Sequence, residues 1–140
     1  MRWPTLLVYA ALPALLPAPA SAVVVSEIHY HPPAGDEALE FVELANEFAT
    51  PEDLSGYAFT EGISFRFAPG TILGPRGILV VAGDAAALKA RYGIDNVVGD
   101  FGGRLDAGGD RLTLVSHAGV VVQSLRYRDR GKWPTGPDGT

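Results

Sequence analysis

The chain has no cysteine and only one methionine among its 140 residues. Without cysteine there is neither a disulfide scaffold nor a thiolate metal centre. Positive charge is also in short supply. Eleven Lys and Arg stand against sixteen Asp and Glu, a formal net charge of −5. That balance argues against a general phosphate-backbone binder, which needs a basic surface. No apolar run reaches the ~20 residues needed to cross hydrocarbon. A G-x-S-x-G elbow, a Walker loop and a dinucleotide fingerprint are all missing. Ser116 and His117 are adjacent in sequence, which is poor geometry for a catalytic triad. The length fits one domain, on the usual scale of roughly 100–200 residues.

The N-terminus, MRWPTLLVYAALPALLPAPASA, has three parts. Arg2 and the α-amino group make a positive start. Leu6 to Leu16 is uncharged and mostly apolar. Pro17, Pro19 and the small residues Ala20, Ser21 and Ala22 follow. This is the pattern of a secretory signal peptide, with cleavage expected after Ala22. A buried helix is the plainer alternative, but Pro13, Pro17 and Pro19 each remove a backbone donor. Residues 1–22 are therefore read as a leader, and residues 23–140 as the exported domain. The expected compartment is the cell surface, the periplasm or the medium.

The mature segment keeps all seventeen glycines and seven of the eleven prolines. Such punctuation suits short strands and tight turns. In VVVSEIHYH (residues 23–31), strict alternation puts Val24, Ile28 and Tyr30 on one face. It puts Val23, Val25, Glu27 and His29 on the other. In LEFVEL (residues 39–44), Leu39 shares a face with Phe41, and Glu40 shares the opposite face with Val42 and Leu44. Residues 54–60 and 63–67 read as short strands. Ile78–Ala82 is an apolar run expected to be covered on both faces. Asp84 to Gly93 predicts one helix, with Asp84 as N-cap and Gly93 as the left-handed C-terminal residue. Residues 111–116 and 120–127, joined by His117-Ala118-Gly119, predict a β-hairpin. About eight strands and one helix point to an all-β, antiparallel β-sandwich.

Several motifs in order carry a family resemblance. They are VVVSEIHYHPPAGDEALEFVELANE (residues 23–47), DLSGYAFTEG (53–62), FRFAPGTILGPRGILVVAGD (65–84), GRLDAGGDRLTLVSHAGVVVQSLRYRD (103–129) and KWPTGPDGT (132–140). Together they resemble the lamin tail domain, in its exported bacterial form. The resemblance implies an immunoglobulin-like β-sandwich that serves as a non-catalytic accessory module of a larger surface or secreted protein. Family members run on into a further Leu-rich strand, so the domain is expected to be truncated and short of its last strand. Tyr127 and Trp133 fall at family positions and are expected to be structural, a buried aromatic pair fixing the last loop.

Three groups of residues invite functional readings. Glu27, His29 and Glu40 belong to an acidic, His-containing stretch that could serve a metal-dependent hydrolase. No metal-ligand motif is matched there, and a solvated strand face explains the same residues. Asp100, Asp106 and Asp110 lie among glycines, but turn chemistry explains them without an ion. Arg126, Arg128, Arg130 and Lys132 are spaced by two and would share one face if the last strand continued. Such a stripe could hold an acidic polysaccharide, although charged edge strands also serve to block pairing. The expectation is therefore a non-enzymatic, cofactor-free adhesion or interaction module. Its partner would be a protein or a cell-surface polymer rather than nucleic acid. The polysaccharide-binding and hydrolase readings are the alternatives.

Overall fold

The computed structural model describes residues 21–32 and 36–128. Two sheets face each other. The first has four strands in the order β1-β2-β7-β8: β1 (Val23–His29), β2 (Phe41–Asn46), β7 (Ile78–Ala82) and β8 (Val97–Gly99). The second has five, in the order β11-β10-β4-β5-β9. These are β4 (Ala58–Glu61), β5 (Ile63–Arg66), β9 (Gly102–Gly103), β10 (Gly109–Val115) and β11 (Val121–Arg128). A two-stranded ribbon of β3 (Glu52–Asp53) and β6 (Ile72–Leu73) completes the described strands. Between the sheets lies one apolar cluster. Val23, Ile28, Val42, Leu44 and Val81 come from one sheet, and Phe59, Ile63, Leu112, Leu114 and Tyr127 from the other. This is the expected β-sandwich.

The predicted hairpin forms as β10–β11, with Leu112 opposite Leu125 and Gly119 at φ 76° in its turn. Helix α1 (Ala85–Tyr92) starts and stops where its caps require. The Asp84 carboxylate accepts from Ala87 N at 2.9 Å, and Gly93 adopts φ 66°. A second carboxylate, that of Asp100, accepts from Ala85 N at 2.7 Å. Both satisfy amides that the first helical turn leaves orphaned.

Four expectations need correction. The sandwich is not wholly antiparallel: β7 and β8 run parallel, joined by α1 as the crossover. A parallel pair needs such a crossover, and the helix covers the outer face of β7. There Leu39, Val80, Ala82, Leu88 and Val97 form a second apolar cluster. The run 54–60 is not one strand, because Tyr57 N bonds back to Leu54 O and Gly56 takes φ 75°. The first strand does not alternate strictly. Its register to β2 slips between Val25 and Glu27, leaving Ser26 as a bulge. One extra residue reverses the parity. Val23 and Val25 therefore join Ile28 and Tyr30 at the core, rather than opposing them. Finally, Glu40 is not part of a solvated face. It is only 4% exposed, and its carboxylate accepts from Leu105 N at 2.8 Å.

Burial pushes the Glu40 carboxyl above its ordinary value, although the Leu105 amide pulls the other way. A raised carboxyl pKa means the folded state holds this proton more tightly than the unfolded chain. Its contribution is therefore most favourable in acid and is lost as pH rises through the folded pKa. Glu40→Gln keeps an acceptor for Leu105 and removes the charge. Urea melts should show wild type and variant alike near pH 3, below the ordinary carboxyl value of about 4.3, where Glu40 is protonated in either state. The variant should be the more stable at neutral pH. A wild type that stays more stable than the variant at pH 7 contradicts this account.

Candidate functional site

The bulge at Ser26 also sets what the outer face of the four-stranded sheet presents. Beyond it, Glu27 lies directly opposite Glu43, and His29 directly opposite Phe41. Ser26 Oγ donates to Glu43 Oε1 at 2.6 Å, which holds that carboxylate on this face. The His29 ring stacks on Phe41 with centroids 4.9 Å apart and planes 20° from parallel. Helix α1 stands over the neighbouring strand and leaves a cleft of about 480 Å³ beside it. Its walls are Glu27, His29, Phe41, Glu43, Val80, Leu88, Tyr92 and Ile94. The floor is apolar, Tyr92 forms an exposed rim, and the carboxylates stand on the β1–β2 side.

Electrostatics inside the cleft follow from this placement. Burial raises the Glu27 carboxyl, and the neighbouring Glu43 charge raises it further. Burial lowers the His29 imidazole, helped by the positive charge His31 can carry. Low local dielectric disfavours the charged form in both cases. His29 Nε2 is buried and has no hydrogen-bond partner among the described residues. Buried polar atoms are normally paired, so such an atom marks a place where something is missing or where stability is forgone.

The structure brings together only part of the residues singled out in the sequence. Glu27 and His29 meet in the cleft, whereas Glu40 faces the core from the other side of the sheet. Among the described residues no group of three or more His, Asp or Glu could hold a metal ion. The glycine-flanked aspartates have other employment. Asp100 caps α1, Asp106 accepts from Gly108 N at 2.7 Å, and Asp110 from Arg111 N at 2.7 Å. Phe41, Val80, Leu88, Tyr92 and Ile94 were not singled out as site residues. They join the cleft only because α1 crosses back over β7, and no local pattern signals that.

The basic residues fall into two sets. Arg126 and Arg128 are exposed on alternate positions of β11, with Tyr127 pointing inward between them. Arg111 of β10 lies directly opposite Arg126, so the described stripe is wider than the spacing in β11 suggested. Arg130, Lys132 and Trp133 lie outside the described residues. Tyr127 is fully buried, and its ring packs on Tyr30 at 5.1 Å; the expected pairing with Trp133 lies outside the described residues.

Comparison with known proteins gives one positive result. The family model for the Lamin Tail Domain matches residues 17–129, beginning a few residues inside the expected leader. No curated protein matches the chain. The two facing sheets and the match across most of the sequence agree: the chain belongs to the lamin tail domain family, whose members are non-catalytic, immunoglobulin-like domains.

Proposed function

We propose that the protein is an exported interaction module that engages a protein partner through the cleft between α1 and the β1–β2 edge. It would serve as an accessory domain of a larger secreted or surface protein. The observation that carries this reading is the cleft itself. An apolar floor, an aromatic rim and a few polar groups at one side are what binding sites share. Family membership supports an interaction role over a catalytic one. The three-part sequence of residues 1–22 supports export.

Site-specific photocrosslinking in the exporting cell tests the reading. A photoreactive residue at Tyr92, on the cleft rim, should capture a protein partner. The same residue at Ser64, exposed on the opposite sheet, should not. Capture from neither position, or equal capture from both, removes the cleft as the interaction site.

A second reading rests on Arg111 and Arg126, like charges directly opposite on neighbouring strands. Such pairs are unfavourable unless an anion lies across them. On this reading the module holds an acidic polysaccharide. The unmodified protein should then be retained on an acidic-polysaccharide column, and Arg126→Glu with Arg128→Glu should pass through. Passage of the unmodified protein ends this alternative.

A further inference from the structure

Resting on the reading of the cleft as an interaction site, we infer that its occupant is a cationic side chain, arginine or lysine, presented by the partner polypeptide. Glu27 and Glu43 stand directly opposite each other on β1 and β2. Like charges in that position are destabilising. Among the described residues neither carboxylate has an ion-pair partner; the ion pair found there joins Arg104 and Glu37. A cation between the two carboxylates converts their repulsion into two attractions.

The rest of the cleft fits the rest of such a side chain. Arginine and lysine carry a long apolar stem under a charged head. Phe41, Val80, Leu88 and Ile94 supply an apolar floor of matching character. The stacked His29–Phe41 pair offers a ring face, against which a planar guanidinium packs well, while the Tyr92 ring at the rim already carries the chain's own Arg91 guanidinium 5.7 Å from its centroid. His29 is held toward its neutral form by burial. A neutral imidazole keeps one ring nitrogen as an acceptor, and its Nε2 is without a partner among the described residues. A neutral imidazole also adds no positive charge against a cation held in the cleft. An anionic occupant would instead meet two carboxylates.

The test uses a matched pair of small probes. N-acetyl-arginine methylamide and its citrulline analogue share length and planarity and differ in charge. Each is titrated into the isotopically labelled protein, and amide shifts are followed by NMR. The arginine probe should move the amides of Glu27, His29, Glu43 and Tyr92 with millimolar affinity. Citrulline should bind at least about tenfold more weakly, a difference of roughly one decade in Kd. Glu27→Gln combined with Glu43→Gln should reduce the arginine probe to the level of citrulline. Should the double variant fail to fold, Glu43→Gln alone carries the comparison. Equal binding of the two probes, no binding of either, or arginine binding that survives the substitutions overturns the inference. If crosslinking from Tyr92 succeeds while the probes do not discriminate, the interaction site stands and the cationic occupant falls. If crosslinking from Tyr92 fails as well, both fall.

Discussion

Asn46→Asp should unfold the domain or destabilise it by more than about 4 kcal/mol, the range for an uncompensated buried charge. Asn46 ends β2 and is only 3% exposed. Its amide nitrogen donates to Thr50 O at 2.7 Å, to Gly74 O at 3.0 Å and to Leu73 O at 3.3 Å. Its side-chain oxygen accepts from Phe48 N at 2.9 Å. One side chain thus ties the loop after β2 to the turn between β6 and β7. A carboxylate has no proton to give, so three carbonyls would face an anion instead of a donor. Asn46→Ala removes the donors without adding charge. It should cost about 3 kcal/mol, since each orphaned group costs roughly 1–3 and water can reach some of them. Urea denaturation of both variants gives the comparison. An Asp variant within 1 kcal/mol of wild type, a margin ordinary for surface changes, would refute this role.

The second large effect is expected at Tyr127, in opposite directions for two substitutions. Its side chain is fully buried and packs on Tyr30. Tyr127→Ala should lose about 3–5 kcal/mol, as large-to-small changes of buried aromatics do. The hydroxyl, however, is buried without a hydrogen-bond partner among the described residues. The Asp106 backbone lies close enough to ease its ionisation but falls outside hydrogen-bond geometry. Tyr127→Phe removes an unsatisfied polar atom and should gain up to about 1 kcal/mol. Burial, with the charges of Asp110, Asp106 and Glu40 adding to it, pushes the phenol up to about 12. The unfolded chain ionises near 10, so this residue's contribution is intact below that pH and is lost as pH rises toward 12. Wild type should therefore lose stability more steeply than Tyr127→Phe in alkali, by on the order of 2 kcal/mol. Parallel alkaline melts would show that the hydroxyl is solvated or paired after all.

Much of this architecture is legible in the chain where local chemistry decides. The helix from Ala85 to Tyr92 is bracketed by an aspartate that caps and a glycine that turns left-handed. The hairpin of β10 and β11 is written in two alternating runs around a short Gly-containing turn. The outward placement of Glu27 and His29, opposite Ile28 and Tyr30, is also readable. What escapes is decided by distant partners. A serine between Val25 and Glu27 carries no mark of a bulge; the slip arises only in pairing with β2. Glu40 alternates correctly with Val42 and Leu44, yet a carboxylate there reads as solvated until the Leu105 amide, 65 residues away, is seen to receive it. The parallel β8 is hidden because Val97 and Val98 are too short a run to betray which neighbour they choose. The cleft depends on that choice, since α1 can roof β7 only as the crossover to β8.

The bulge in β1 frees one more group. Val25 N donates to the side-chain oxygen of Gln123 at 2.7 Å, joining the first strand of the four-stranded sheet to the last strand of the five-stranded one across 98 residues of chain. A contact of such separation carries a high loop-closure cost and belongs late in folding. During synthesis the N-terminal strand cannot find this partner until residues 121–128 have been made. Until then the edge of β1 lies open and the space between the sheets has no Tyr127 to fill it. The domain therefore closes as a unit and near the end, rather than piece by piece behind the ribosome.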